Sequence, residues 1–421
     1  MDYSYTRANL ARLLNGFDFY KCKDLLDEDY RKSFIQGALK LAENFLTPSP
    51  TIKTHLVDGK QVYQIPDLAY QLVLRKCTAN IKSRLKLNLK PRTTIIRELK
   101  IVLSEGSPYS LFRLDIKDFF ETCSHNYLLS ILKDNGVDKI TLNIIENILK
   151  TTPCSGTGIP RGLSISSVLA ESYLKNFDKW VMSVEDIFYY SRYVDDIIIV
   201  ANSKSDNLLL DIETNLPDGL NLNRKKTNII HVNKFSSGEN NPVANFDYLG
   251  YQFQVIDDIS SDKGLQDEKR KREIKTIKCT RFRRVDVDIS KKKLSKFQTK
   301  IYQAIYSFGK SGDFSLLVDR FRFLTTNRDI IDKLSNRKIP SGIYYNYSEV
   351  EGPISSLDKL DDYLKVAILH PPRRLKLGMK HHLSNVQKSR LMKISFKTGF
   401  RKKVFKRFSL NRLQAITRIW K

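Results

Sequence analysis

The chain has few cysteines and no long apolar run. Among its 421 residues are five cysteines, at positions 22, 77, 123, 154 and 279, and no two of them form a CxxC pair. Zinc sites and disulfide frameworks need clustered or regularly spaced cysteines, so neither is indicated. No apolar run reaches the about 18 residues that cross a bilayer, and the N-terminus lacks a signal-peptide pattern. We therefore expect a cytoplasmic protein without a membrane partner.

Acidic residues are absent from the last 51 positions, Pro371–Lys421, which contain 16 lysines and arginines. The whole chain has 72 basic and 46 acidic residues and a net charge of +26, so more than half of the excess lies there. Aromatic and branched side chains alternate with the basic ones, which suits phosphate contact and base stacking. We predict a basic, helical nucleic-acid-binding tail over 371–421. The alternative is a basic amphipathic membrane helix.

Two adjacent aspartates lie between two apolar segments. Asp195 and Asp196 follow residues 187–190 and precede residues 197–200, both rich in branched and aromatic side chains, as buried strands are. The two carboxylates are therefore expected at the tip of a hairpin. Paired like charges are costly to bury unless a cation neutralises them, and Mg²⁺ prefers such oxygen ligands. The alternative is an exposed acidic turn.

A third aspartate, Asp115, lies 80 residues before Asp195, at the end of an apolar stretch that is typical of a strand. Two-metal nucleotidyl transfer needs carboxylates that converge from different strands. We predict that Asp115 and Asp195 bridge two Mg²⁺ ions. Asp196 is expected to be more peripheral, because neighbours on a strand point to opposite faces. No protein nucleophile is implied, since positioning and charge neutralisation carry this chemistry.

Five segments, in this order, resemble the palm of a reverse transcriptase. They are the strand acid at 115, a Gly-Ile-Pro-Arg-Gly loop from 158, the Tyr-Val-Asp-Asp hairpin at 193–196, a lysine turn at 223–227 and a Tyr-Leu-Gly hairpin at 248–250. The resemblance implies an α+β right-hand polymerase. Its predicted regions are helical fingers over 1–110, a palm with a small antiparallel sheet over 111–255, a helical thumb over 256–370 and the basic tail.

The resemblance also implies roles for single residues. The backbone carbonyl of Ile116 is expected on the nucleotide-bound metal. Phe120 is expected beside the sugar 2′-carbon, where a ring favours deoxynucleotides. Lys226, with Lys225 as the alternative, is expected near the pyrophosphate. The further candidates are nucleotide contacts at Arg92, Arg97, Arg161 and Gly162 and a primer grip at Tyr248, Leu249 and Gly250.

Arg161 departs from the family pattern, which has glutamine at this position. An arginine cannot accept a hydrogen bond, but it can contact phosphate or stack on a ring. We therefore do not assign the role of the family's glutamine in nucleotide selection to Arg161. The metal chemistry is unaffected, because it depends on the aspartates.

The segments at 158–162, 170–174, 320–325 and 341–347 resemble the bacterial defence-associated (antiphage) reverse transcriptases, which are related to abortive-infection and unknown-group enzymes. The resemblance implies an RNA-directed DNA polymerase in antiviral defence. Its expected partners are dNTPs, a DNA product, a noncoding RNA as template or scaffold, and further copies of the chain or another defence protein. The alternatives are an untemplated or protein-primed DNA polymerase, an RNA-dependent RNA polymerase, and an RNA-binding structural subunit.

Overall fold

The computed structural model describes residues 2–87, 90–151, 156–202, 207–233, 242–261, 279–331, 338–352, 355–371 and 379–420. These residues form two compact units. The first unit falls within Met1–Lys90 and Tyr109–His231. The second falls within Pro91–Pro108, Val232–Ile331 and Lys338–Lys421.

Both units contain helices and strands. The helices, in chain order, are α1 (Arg7–Ala11), α2 (Gly16–Lys21), α3 (Glu28–Glu43), α4 (Leu68–Arg84), α5 (Arg92–Leu103), α6 (Phe119–Thr122), α7 (His125–Asp134), α8 (Lys139–Thr151), α9 (Ser166–Tyr173), α10 (Lys175–Ser183), α11 (Leu208–Asn215), α12 (Lys291–Ser311), α13 (Phe314–Thr325), α14 (Ser356–Leu369), α15 (Asn385–Leu391), α16 (Phe396–Arg401) and α17 (Leu410–Thr417). The strands are β1 (Lys53–Val57), β2 (Lys60–Gln64), β3 (Tyr109–Asp115), β4 (Ile187–Tyr193), β5 (Asp196–Asn202), β6 (Asn228–Val232), β7 (Pro242–Tyr248), β8 (Tyr251–Ser261), β9 (Cys279–Ile289), β10 (Asn327–Ile331) and β11 (Lys338–Gly342). The chain is thus a mixed helix and sheet protein, as predicted, whereas the division into fingers, palm, thumb and tail remains a prediction.

A four-stranded sheet with the order β4-β5-β3-β6 lies at the centre of the first unit. Strand β5 pairs antiparallel with both β3 and β4. Its residues Ile197–Ala201 are fully buried, which explains why this run is apolar at every position rather than at alternate ones. The hydrophobic core joins the sheet to α3, α4, α8 and α9. This burial fixes the register of the strands whose ends carry the aspartates.

The hairpin β1–β2 was not anticipated in the N-terminal region, which was predicted to be helical. Its two turn residues, Asp58 and Gly59, have φ angles of 51° and 76°, and an Asp-Gly pair is a common signal for such a turn. The Tyr63 N–H of β2 donates to the Arg161 carbonyl at 2.7 Å. The hairpin therefore borders the Gly-Ile-Pro-Arg-Gly loop.

The second unit contains the antiparallel sheet β7-β8-β9, the hairpin β10–β11 and the long helix α12. Helix α12 buries Ile301, Ile305 and Phe308 on one face. Every helix in the described ranges is too short or too polar to cross a lipid bilayer.

The described part of the predicted tail, which contains α15, α16 and α17, packs within the second unit. Its buried apolar side chains are Leu391, Phe396, Phe400 and Ile416. The Asp361 carboxylate of α14 accepts hydrogen bonds from the Ser395 hydroxyl and the Phe396 N–H, both at 2.6 Å. Residues 372–378 and 421 of the tail lie outside the described ranges. Nucleic-acid binding by this segment remains a prediction.

Candidate active site

The three aspartates lie at neighbouring strand ends in the first unit. Strand β3 ends at Asp115, and β5 begins at Asp196, which is its direct partner across the antiparallel pair. Directly opposite residues project from the same face of a sheet. Asp195 occupies the turn of the β4–β5 hairpin, and its carbonyl accepts a hydrogen bond from the Ile116 N–H at 3.2 Å. The predicted hairpin and the predicted strand end are both confirmed, with Asp196 rather than Asp195 in register with Asp115.

The negative charges at these strand ends perturb one another. Burial, and then the charge of Asp115, raise the pKa of Asp195. Burial, and then Asp195 and Asp115, raise the pKa of Asp196 to about 6. A carboxylate whose ionisation is opposed by its neighbours gains from any cation that joins them. The site is therefore short of positive charge.

Lys226 supplies positive charge to Asp115. Its Nζ lies 2.7 Å from Asp115 Oδ1, although most of the lysine side chain remains exposed. The hydrogen bond to Asp115 raises the pKa of Lys226. Two backbone hydrogen bonds place Lys226 there. The Lys226 N–H donates to the Asn223 carbonyl and closes a turn, and the Asn223 N–H donates to the Asp115 carbonyl. The structure thus brings Lys226 to the aspartates.

The donor chemistry of this site fits divalent metal ions. Carboxylate oxygens are the ligands that Mg²⁺ prefers. An isolated bridge joins Ile116 to Leu222, and its two hydrogen bonds use the Lys117 N–H and the Asp115 carbonyl. The Ile116 carbonyl accepts neither of them. Within the described ranges, however, no three Asp, Glu, His or Cys side chains form a preassembled cage for one ion.

A buried arginine network supports the β4–β5 hairpin. The Arg192 side chain is 4% exposed and forms ion pairs at 2.7 Å with Glu171 and Asp178, on α9 and α10. Its Nη1 also donates to the Val194 carbonyl at 2.9 Å, and Val194 has a left-handed φ of 61°. The network therefore fixes the turn that carries Asp195. An arginine within an apolar strand signals a buried acidic partner, but the sequence does not identify which acid.

Arg161 packs against Phe120. Its guanidinium carbon lies 4.3 Å from the centre of the Phe120 ring. Its Nε and Nη2 each donate at 3.0 Å to the Glu121 carboxylate. Lys60, from the β1–β2 hairpin, lies 2.7 Å from Asp118 Oδ1 and 3.4 Å from Glu121 Oε1. Sequence reasoning missed Glu121 and Lys60, because neither position belongs to a recognisable motif.

Gly162 is required by its close approach to β2. Its φ is +96°, and a Cβ atom there would lie 2.6 Å from Val62 Cγ1 and 2.7 Å from the Tyr63 carbonyl oxygen. Only glycine accepts both this conformation and this contact. The glycine therefore joins the loop to the β1–β2 hairpin, and its contact with a nucleotide remains a prediction.

The predicted primer-grip residues lie in the second unit, at the β7–β8 turn. Tyr248 is buried, and Leu249 and Gly250 have φ angles of 47° and 82°. Residues 248 and 251 are paired across the turn. These features are those of a tight hairpin, and the contact with a primer remains a prediction.

Arg92 and Arg97 also lie in the second unit. The Arg92 guanidinium lies 4.7 Å from the Tyr251 ring centre and donates to the Asn346 carbonyl at 2.8 Å. Arg97 donates two hydrogen bonds to Glu349, at 3.2 and 2.9 Å. Both guanidinium groups thus have partners within this unit, and their predicted contact with a triphosphate remains untested.

The segment that contains the three aspartates matches a known family model. Residues 62–253 match the family model described as reverse transcriptase (RNA-dependent DNA polymerase). No curated protein sequence matches the chain.

Three solved structures to which the chain is similar are telomerases. Apo telomerase from Candida tropicalis, truncated from its C-terminal domain, is 13% identical with a TM-score of 0.35, over 51% of this chain and 58% of that one. Telomerase from Candida albicans in complex with the TWJ fragment of telomeric RNA is 12% identical with a TM-score of 0.31, over 83% and 54%. Apo telomerase from Candida tropicalis is 12% identical with a TM-score of 0.34, over 83% and 56%. The chain thus spans little more than half the length of these telomerases.

The segment that matches the family model contains Asp115, Asp195, Asp196 and Lys226. These are the residues that the β3–β5 pairing and the turn at 223–227 bring together. Residues 62–253, which bring these side chains together, are therefore similar to a reverse transcriptase domain.

Proposed function

We propose that the protein is an RNA-directed DNA polymerase that uses two-metal nucleotidyl transfer. One observation carries the proposal: Asp115 and Asp196 face each other across paired strands, Asp195 occupies the adjoining turn, and Lys226 contacts Asp115. Two bound Mg²⁺ ions would stabilise the attacking 3′-oxygen and the leaving pyrophosphate. Asp115 and Asp195 would hold both ions, and the Ile116 carbonyl would hold the ion of the nucleotide.

Lys226 has a second role in this proposal. In the structure its ammonium group is bonded to Asp115 and largely exposed to solvent. An incoming triphosphate offers stronger hydrogen-bond acceptors of the same charge sign. Lys226 would exchange its carboxylate partner for the phosphates and donate a hydrogen bond to the leaving group.

Phe120 would select the sugar. Its ring is half-buried, lies edge-on to Phe119 with ring centres 5.7 Å apart, and is covered by Arg161 on a face. A ring fixed in this way cannot move aside easily for a 2′-hydroxyl. We therefore expect deoxynucleotides to be the preferred substrates, which favours DNA synthesis over RNA synthesis.

The test is metal-dependent dNTP incorporation by the purified full chain with its copurifying RNA. The Asp195→Ala, Asp196→Ala double variant should incorporate dNTP at least about a thousandfold more slowly. This is the upper end of the rate loss for removal of one charge-stabilising group. A matched control is Glu185→Ala with Asp186→Ala, an exposed acidic pair at the other end of β4. The control should retain wild-type incorporation. Undiminished incorporation by the Asp195, Asp196 variant would refute the proposal.

We further propose that this activity serves antiviral defence with an associated noncoding RNA. The support is the resemblance of segments 158–162 and 170–174 to the defence-associated enzymes, together with the net charge of +26, which suits a polyanionic partner. Cells that express the chain with the noncoding RNA that copurifies with it should restrict phage plating. Cells that express the Asp195→Ala, Asp196→Ala variant with the same RNA should not. Sequencing of the bound RNA, before and after phage addition, would identify the template. DNA that remains covalently joined to the protein would instead indicate protein priming.

A further inference from the structure

The second unit contains a cavity of about 200 Å³ beside helix α12 and the β10–β11 hairpin. Four basic side chains line it: Lys293, Lys296, Lys300 and Arg328. The lysines lie at spacings of three and four residues, which places them along one face of α12. Aromatic rings, among them Phe323 and Tyr347, complete the wall. Among the described residues, no acidic side chain belongs to this lining.

These basic groups lack negative partners among the residues that the structure describes. Burial, and then Arg328 and Lys296, lower the pKa of Lys300. Burial, and then neighbouring cations, lower the pKa of Lys293. Burial alone lowers the pKa of Arg328 to about 10. Each charge that perturbs these groups is positive, so the cavity retains uncompensated positive charge, which is unfavourable in a half-buried setting.

Aromatic contacts hold the cations but do not neutralise them. The Arg328 guanidinium carbon lies 3.5 Å from the Phe323 ring centre, and its Nη1 donates to the Phe323 carbonyl at 3.0 Å. Lys300 Nζ lies 5.5 Å from the Trp420 ring centre. An arginine has five N–H donors in a rigid fork, so this arrangement fixes the fork and leaves donors for an anion.

We propose that this pocket binds a phosphate group of a nucleotide or nucleic-acid strand. Phosphate matches several converging cationic donors, and the half-buried rings of Phe297 and Phe323 in the cavity wall suit a sugar or base. The volume is smaller than the roughly 300–1,000 Å³ of pockets that enclose a drug-sized ligand. The pocket therefore takes one phosphate with part of its nucleoside. The proposal does not depend on polymerase activity.

The experiment compares two double variants of the full chain in metal-free buffer. Lys296→Gln with Lys300→Gln removes two pocket charges. Lys291→Gln with Lys310→Gln removes two exposed charges from the same helix, outside the cavity lining. The probes are deoxyadenosine monophosphate and a fluorescent ten-nucleotide thymidine strand. Affinity is measured by calorimetry for the first probe and by anisotropy for the second, and the unfolding midpoint is measured with and without each probe.

The pocket variant should bind at least one probe about tenfold more weakly, since a hydrogen bond to a charged group is worth about that factor or more. For the strand, the slope of log affinity against log salt should fall by about 0.7 for each strand phosphate that the variant no longer neutralises. The control should resemble the wild type. Lys296→Arg with Lys300→Arg, which keeps both charges, should retain binding.

Binding of the strand alone would identify a strand phosphate, and comparable binding of the mononucleotide would identify a nucleotide subsite. The unfolding midpoint of the probe-free pocket variant should be no lower than that of the wild type, because mutual repulsion is relieved, so weaker binding cannot be ascribed to unfolding. Equal losses in the pocket variant and the control, or no binding of either probe to the wild type, would overturn the proposal.

Discussion

The two units each contain a half-buried cluster of like charges, but the sign is opposite. In the first unit, burial and mutual repulsion raise the pKa values of Asp195 and Asp196, while Asp115 is bonded to Lys226. In the second, the cations around the α12 cavity repel one another. Both arrangements lower the stability of the ligand-free protein. The difference in sign indicates that the acidic cluster is suited to bind cations and that the basic cluster is suited to bind an anion.

Each unit also has a buried charge that is fully paired. Arg192 in the first unit is bonded to Glu171 and Asp178. Arg283 in the second is fully buried, lies 2.7 Å from Asp257 and donates to the carbonyls of Glu105 and Ser107. Both buried arginines that support the fold thus have acidic partners within their own unit. This contrast is what makes the two clusters of like charges candidates for binding sites.

The largest effect that we predict comes from the acidic cluster. Asp115→Asn should reduce single-turnover dNTP incorporation by about a thousandfold, because it removes a metal-bridging charge and the partner of Lys226. Stability should change little, because the loss of the Lys226 contact is offset by relief of the repulsion between Asp115 and the two neighbouring aspartates. Asp186→Asn, an exposed change in the same unit, is the control. A variant that retains a tenth of the activity would show that the cluster is not the site of chemistry.

The paired network should respond through stability. Arg192→Met leaves Glu171 and Asp178 without their buried cation, and breaking such a network costs about 3–5 kcal/mol. The unfolding midpoint in denaturant should fall accordingly, and incorporation should fall with it because the Val194 turn loses its support. Arg224→Met, which breaks the exposed pair with Glu213, is a suitable control. An unchanged midpoint for Arg192→Met would remove the distinction between the buried ion-pair network and the clusters of like charges.

Removing one charge from a cluster of like charges should have the opposite effect on stability. Asp196→Asn and Lys300→Gln should each raise the unfolding midpoint of metal-free, ligand-free protein, by about 2–4 °C for roughly 1 kcal/mol in a domain of 150–250 residues. Mg²⁺ should stabilise the wild type more than Asp196→Asn, and a nucleotide should stabilise the wild type more than Lys300→Gln. Differential scanning calorimetry measures all four shifts. Destabilisation by either change would mean that the contacts of that charge outweigh the repulsion within its cluster.

The sequence identifies the local parts of the acidic site. The apolar runs around Asp195 and Asp196 predict the two strands, and the apolar stretch before Asp115 predicts the third. The register of β3 against β5 depends on burial across the whole sheet, and the sequence does not specify that Asp196 is the residue opposite Asp115. Lys226 was chosen over Lys225 by resemblance, and the turn at 223–227 provides the physical reason for that choice.

Long-range ion pairs are the part that the sequence does not supply. Arg192 meets Glu171 and Asp178 across two helices, and any of the chain's 46 acids was a possible partner. The partners of Arg161 were open for the same reason. A net charge of +26 predicts a polyanionic ligand, but it does not locate the α12 cavity, because many lysines are exposed and only the fold shows which are clustered.

The smallest effect that we predict concerns Glu121, which forms an ion pair with Arg161. Glu121→Gln should weaken the contact that holds Arg161 over Phe120, and an exposed pair of this kind is worth about 0.2–1 kcal/mol. Discrimination against ribonucleotides, measured as the ratio of kcat/KM for dNTP and rNTP, should therefore fall by at most about fivefold. Phe120→Ala, which removes the ring, should reduce it by about 10–100-fold, the usual range for a change of shape in a pocket.

The combined Phe120→Ala, Glu121→Gln variant decides whether the pair acts through the ring. If Arg161 only positions Phe120, the double variant should match Phe120→Ala, because no ring remains to be held. Independent, multiplying effects would mean that Arg161 contacts the nucleotide directly. Burial raises the pKa of Asp195, and the positive charge of Arg161 opposes that rise. A higher activity of the double variant than of Phe120→Ala would therefore indicate that Arg161, once freed from Glu121, compensates the acidic cluster itself.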